Sequence, residues 1–137
     1  MTLLSLGVLP SSLPLSLGML GMRSVRSTNF ILQEADLLIV LGARFDDRAI
    51  GRTAEFCPNA TIIHIDIDRA ELGKRKQPHV ASQADVDEVR TRLIPHIQPQ
   101  PRDTWSKLAP AVKREYRGPI PRAGAPLSHY ALIYDVS

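Results

Sequence analysis

Residues 42–48 read Gly42-Ala43-Arg44-Phe45-Asp46-Asp47-Arg48, a glycine followed at once by two guanidiniums and two carboxylates. A guanidinium is a rigid fork of N–H donors that matches the oxygens of a pyrophosphate. A glycine at that point permits positive φ and lets a ligand approach the backbone closely. The cluster therefore suits a nucleotide diphosphate; the competing reading is an internal Arg–Asp salt-bridge network on a loop. A second group of carboxylates closes the run Ile62-Ile63-His64-Ile65-Asp66-Ile67-Asp68. Asp66 stands about 24 residues beyond Gly42, near the spacing at which an acidic side chain accepts hydrogen bonds from a ribose in dinucleotide-binding folds. Its alternative role is to form a turn. Asp68 is better read as a helix cap, and so is Asp85, although a cap beside a strand end can also touch a ligand.

Other chemistries find little support. The Gly-x-Gly-x-x-Gly fingerprint is missing and Gly18-Met19-Leu20-Gly21 is a poor substitute, so a standard hydride-transferring dinucleotide domain is not expected. His64 lies inside an apolar strand and reads as a core residue, while His79, His96 and His129 lack metal-ligand spacing. No Gly-x-Ser-x-Gly elbow occurs, and Met19 and Met22 read as core filler. Cys57 is the single cysteine, so no intrachain disulfide can form and a zinc site is not expected, which fits a reducing cytoplasm. The net charge of +3 is mild, and the basic run Lys74-Arg75-Lys76 reads as a solvated loop, so nucleic acid is not expected as a partner. Residues 1–22 resemble a signal peptide in their Leu, Gly, Ser and Pro content, but the first cation is Arg23, and Pro10 and Pro14 interrupt the apolar run. Buried loop and strand structure is expected there, rather than a targeting segment or a membrane span.

These groups need elements to position them. At 137 residues, 44% hydrophobic and 23% charged, the chain has the composition of one ordinary globular domain. Thr2–Val8 is expected as a short strand and Pro10–Gly21 as a loop. Ser24–Ala35 is expected as a helix that buries Phe30, Ile31 and Ala35. Leu37–Leu41 is a continuous apolar run, as in a parallel strand covered on both faces. Ile62–Ile67 follows, rich in β-branched residues. Asp68-Arg69-Ala70-Glu71 has capping-box spacing, His79–Ala84 is a third strand, and Asp85 caps a helix carrying Val86, Val89, Leu93 and Ile97. Pro95 should kink that helix or end it near Leu93. Residues 98–126 read as a Pro-rich linker holding a charged helix, Thr104–Arg117, weakened by Pro110. Residues 127–137 look like the first turns of a further domain. Strands alternating with helices give an α/β fold with a parallel sheet.

Five segments in order, Leu6-Gly7-Val8-Leu9-Pro10, Leu15 to Met22, Gly42 to Arg48, Ile63 to Asp68 and Lys76 to Val80, resemble the central domain of the acetolactate synthase (acetohydroxyacid synthase) catalytic subunit. The resemblance is dense over residues 2–97 and weaker from Trp105 to Tyr130. It implies a Rossmann-like parallel sheet of six strands flanked by helices that binds FAD. The matching contact positions are Thr2, Leu3, Leu20, Gly21, Met22, Arg23, then Gly42, Ala43, Arg44, Phe45, Asp46, Asp47, Arg48, and Asp66, Ile67, Asp85 and Val86. Asp66 and Asp85 would lie toward the adenosine half, Arg44 and Arg48 near the phosphates and flavin. In this family the FAD is largely structural. Thiamine diphosphate, held with Mg²⁺ by the two neighbouring domains, decarboxylates pyruvate and joins it to a second 2-ketoacid. The resemblance implies FAD or another adenine nucleotide, the thiamine-binding domains, a regulatory subunit and a second copy of the chain as partners. Two departures stand out: Met22-Arg23-Ser24 where the family has Met-His-Gly, and Thr2-Leu3-Leu4-Ser5 where it has Thr-Leu-Met-Gly. The catalytic glutamate and the metal-binding Gly-Asp-Gly…Asn motif belong to the other domains. This chain alone is therefore expected to carry no catalytic residue and no metal ligand. Rival expectations are an ADP-binding or ligand-free relative, and a non-enzymatic interaction module.

Overall fold

A computed structural model describes residues 1–116; the expected start of a further domain at 127–137, with His129, lies outside the described residues. Strand β1 (Leu37–Leu41), β2 (Thr61–Asp66) and β3 (Val80–Gln83) form one parallel sheet in the order β1-β2-β3. The register pairs Ile39 with Ile63 and Ile65 with Ser82. Three strands, against the six implied by the resemblance, are present among the described residues. The helices are α1 (Arg26–Gln33), the single turn α2 (Asp47–Ile50), α3 (Val86–Leu93) and α4 (Asp103–Glu115).

The core lies on one face of β1 and β2. Val40 and Ile62 pack there with Phe45, Ile50, Phe56, Cys57 and Ala60, all supplied by the connection between the two strands. Among the described residues the expected cover of β1 on both faces is not found: Leu37, Ile39 and Leu41, on its other face, are about half exposed because no described helix packs there. At the start of the β2–β3 pairing a side chain completes the ladder. The Ile62 N–H donates to His79 Nδ1 at 2.9 Å, and the His79 N–H donates to the Ile62 carbonyl at 2.8 Å. A smaller cluster joins Ile31 of α1 to Ala109 and Val112 of α4. Burial of that face offsets Pro110, which costs a helix interior about 3 kcal/mol, and α4 runs through it unbroken.

Three expectations are corrected. Residues 2–8 form no strand; a 3-10 turn at Leu3–Ser5 stands there, with successive i to i+3 bonds carrying the chain to Val8 and the Ser5 hydroxyl bonding the Thr2 carbonyl at 3.0 Å. With no strand beside it to pair, this backbone satisfies itself locally. Most of the first 15 residues are also not buried: Leu4 is 93% and Val8 74% exposed, and only further on does the segment turn inward, with Ser16 buried and Leu17 against the Ile31 cluster. Phe30 is 42% exposed and stacks at 6.2 Å on Tyr116, the residue that caps the end of α4, while Ser27 and Thr28 join Ile31 on the buried face of α1. A helix face turned toward a loop can bury hydroxyls when they find acceptors, and the Thr28 hydroxyl donates to the Leu17 carbonyl.

Local signals fare better near 68 and 85. Asp68 accepts from the Ala70 N–H at 2.9 Å and starts a 3-10 turn, although Glu71 pairs with Lys74 at 2.8 Å and does not complete a capping box. Asp85 accepts from the N–H groups of Asp87 and Glu88 at 2.8 and 3.3 Å, and α3 stops at Leu93, ahead of Pro95. Replacing Asp85 with alanine is expected to cost about 1 kcal/mol of stability. A urea titration checks this, and an unchanged midpoint would mean that α3 contributes nothing to the cooperative fold.

Candidate nucleotide site at the strand ends

The carboxyl ends of β1 and β2 are tied together by the Gly42 N–H, which donates to the Ile65 carbonyl at 2.8 Å. Gly42 has φ +56, and a Cβ added there would meet only Val86 Cγ2, at 3.6 Å. The first turn of α3 therefore sits against the glycine, and residues 42, 65, 66 and 86 share one end of the sheet. In open α/β sheets ligands bind in the crevice beyond these strand ends.

The salt-bridge alternative for the 42–48 loop does not hold in its expected form. Asp46 caps α2 by accepting from the Ala49 N–H at 2.8 Å, and Asp47 pairs with Arg75, far along the chain. Arg44 and Arg48 are exposed and make no ion pair among the described residues, so both forks are free for an anion. The basic run 74–76 is exposed at Lys74 and Arg75, as expected of a solvated loop, but its cations are engaged. Arg75 neutralises Asp47, and Lys76 Nζ donates to the Thr53 carbonyl at 3.0 Å. Nothing in the spacing of the sequence signals that long-range pairing.

The 20–23 turn reaches the same loop from the other side. The Met22 N–H donates to the Arg48 carbonyl at 2.9 Å. Gly21 is clamped by Asn29 of α1: its N–H donates to Asn29 Oδ1 and its carbonyl accepts from Asn29 Nδ2, each at 3.2 Å. The sequence reading passed over Asn29, because only the tertiary fold sets a helix residue against a turn eight positions back. Gly21, Met22, Asn29, Asp47, Arg48 and Phe56 help line a cleft of about 320 Å³, at the low end of the roughly 300–1,000 Å³ usual for ligand pockets. Met22 is no core filler; it is 77% exposed at this rim. Thr2 and Leu3 do not line this cleft. Met1 is held by its amino group on the Gly18 carbonyl and by its own carbonyl on the Leu20 N–H, both at 2.9 Å.

Asp66 is buried at 7% exposure, and its Oδ1 accepts from the Asp68 N–H at 2.8 Å, as a turn former does. Ile67 lies one residue past β2 and is 68% exposed. Arg23 is exposed beside Met22. The expected positions thus form two adjoining patches, the strand ends with Gly42, Asp66 and Val86, and the cleft with Gly21, Met22 and Arg48, joined by the 42–48 loop. Below that loop Cys57 is 1% exposed, with φ +44; burial raises its thiol above the ordinary range, and the charge of Lys76 works in the opposite direction. No helix among the described residues is long and apolar enough to cross a membrane.

An open parallel α/β sheet flanked by helices is a Rossmann-like layout, and residues 1–93 match the model of the thiamine pyrophosphate enzyme central domain; the chain belongs to this family. It is 69% identical over all 137 residues to the acetolactate synthase isozyme 1 large subunit of Escherichia coli (strain K12), of which it covers 24%. It is 43% identical over 116 residues, 84% of this chain and 20% of the relative, to the isozyme 2 large subunit of the same organism. Over 85 residues, 62% of this chain, it is 54% identical to 13% of the chloroplastic acetolactate synthase 1 of Zea mays. The chain spans about a quarter or less of the length of these relatives.

Proposed function

We propose that this chain is the central-domain portion of an acetolactate synthase large subunit, which binds FAD and braces the thiamine-binding parts of the enzyme without supplying a catalytic residue. The observation that carries this reading is the free pair of guanidiniums, Arg44 and Arg48, on a glycine turn at the β1 and β2 ends, in a chain 69% identical to such a subunit. The residues present fit an extended dinucleotide. Arg44 and Arg48 would take the diphosphate, and Asp66 and the Asp85–Val86 turn the adenosine side. Met22 and the rim of the cleft would take the flavin side, with Thr2 and Leu3 at the margin. Flavin held here would serve as a structural wedge, since the proposed net reaction, decarboxylation of pyruvate and its addition to a second 2-ketoacid on thiamine diphosphate and Mg²⁺ bound elsewhere in the enzyme, changes no oxidation state at the flavin. A regulatory subunit, a second large subunit and a cytoplasmic setting belong to the same reading; the free Cys57 is compatible with that compartment.

The test is FAD titration of the purified chain by flavin fluorescence, beside Arg44→Ala. Only weak binding is expected of the isolated chain, and Arg44→Ala should weaken it a further tenfold or more, about the range set by losing a hydrogen bond to a charged group. A folded chain that binds no FAD would overturn the cofactor assignment, and binding of ADP without flavin would favour an ADP-binding relative.

A further inference from the structure

We propose that His64 is a positioning residue for Arg44, gripping the ligand-facing loop from beneath at the two residues that flank it; the inference rests on the anion-binding reading of that loop. His64 is on β2 and fully buried, in a strand whose neighbouring positions 62, 63 and 65 are isoleucine. A buried imidazole must find partners for two ring nitrogens or lose their hydration without return. Among the described residues only one finds a partner. Nε2 lies 3.1 Å from the carbonyl oxygen of Ala43 and carries the ring proton, because a carbonyl can only accept. Nδ1 is buried with no partner. An aliphatic side chain would fill this place in the sheet without leaving a nitrogen unpaired, so packing alone does not account for the histidine.

The contact with the loop does. The imidazole also meets the ring of Phe45 edge-on, with centroids 5.0 Å apart, and Phe45 in turn packs edge-on against Phe56 at 6.0 Å. One ring thus holds the residue before Arg44 through its carbonyl and the residue after it through its aromatic face. Between these grips the backbone of Arg44 is fixed, and with Phe45 buried beneath the loop the guanidinium is left exposed on the ligand side. A donor held in place before its anion arrives forfeits less conformational freedom on binding. The sequence reading gave His64 no role beyond the core, because an alternation of apolar residues does not reveal which loop crosses above a strand.

The experiment uses the 137-residue chain with His64→Leu, which fills the volume without a donor, and His64→Gln, whose amide offers an N–H near the place of Nε2. Three quantities are read: ¹⁵N order parameters of residues 43–45 without ligand, the urea midpoint, and FAD affinity alone and combined with Arg44→Ala. His64→Leu is expected to drop the loop order parameters from about 0.85 to below about 0.6 and to weaken FAD about tenfold. In a chain that already carries Arg44→Ala, adding His64→Leu should change affinity little further. His64→Gln should restore loop order and most of the affinity. A loop that stays rigid in His64→Leu, or losses that multiply with those of Arg44→Ala, would overturn the proposal. If the wild-type chain binds no FAD, the cofactor reading fails by itself and the order parameters still decide the role of His64. If His64→Leu does not fold, the ring ¹⁵N shifts of the wild type decide: a proton on Nε2 together with a rigid loop in His64→Gln supports the proposal, and a proton on Nδ1 refutes it.

Discussion

Gly21→Ala is expected to destabilise the chain by about 3–5 kcal/mol and to open the cleft beside Arg48. Two penalties add at this position. Gly21 has φ +102, a conformation that an L side chain adopts only under strain of about 1–3 kcal/mol. An added Cβ would also stand 2.3 Å from the Arg48 carbonyl oxygen and 2.9 Å from Ala49 Cα. Both are backbone atoms of α2, so neither can swing aside as a flexible side chain would, and the turn and helix must part. Their separation breaks the Met22 N–H bond to Arg48 and loosens the Asn29 clamp, so affinity for FAD should fall with stability. Gly18→Ala is the control. It shares a positive φ, +75, but a Cβ there meets nothing within 4 Å. It should cost only the backbone strain, about 1 kcal/mol. Urea midpoints of the two variants measure the difference. Equal midpoints would mean that the close approach of the turn to α2 does not form in solution.

Ile62→Ala is expected to cost about 2–5 kcal/mol, the range for emptying a rigid core site. Ile62 is 1% exposed on the central strand and packs within the main cluster of Val40, Phe45, Phe56 and Cys57. A domain of this size holds only about 5–15 kcal/mol in total, so a large part of the fold's margin rests on this side chain. Ile39→Ala, on the 48% exposed face of β1, should cost well under half as much. Thermal and urea unfolding of both variants checks the contrast, and similar losses would mean that the exposed face of β1 is covered in solution.

Local chemistry was legible in the sequence where it concerned one segment at a time. The apolar run Leu37–Leu41 forms β1 as expected, because five apolar residues closed by Gly42 are too short for a helix and of ordinary length for a strand. Asp68 and Asp85 cap the turns that follow them, and the helix ahead of Pro95 ends where a fixed φ and the crowding before proline require. The clustering of Gly42, Arg44 and Arg48 at a strand end followed from the order of residues alone.

What the fold decided was which distant groups meet. The leucine-rich start reads as interior by composition, yet Leu4 and Val8 lie on the surface, since hydropathy records a preference for burial but not the presence of a partner to bury against. Asp47 looked to its neighbours Arg44 and Arg48 for charge but pairs with Arg75, which frees both arginines for an anion. Asn29 clamps Gly21, and His64 carries the loop above it at Ala43 and Phe45. Sequence alone determined the three strands of the sheet, though not the false one at residues 2–8, together with the caps and the chemical character of the 42–48 loop, because these arise from steric and hydrogen-bonding rules acting within a few residues. The tertiary structure alone decided which faces are covered and which donors remain free, because those depend on contacts closed between positions far apart in the chain.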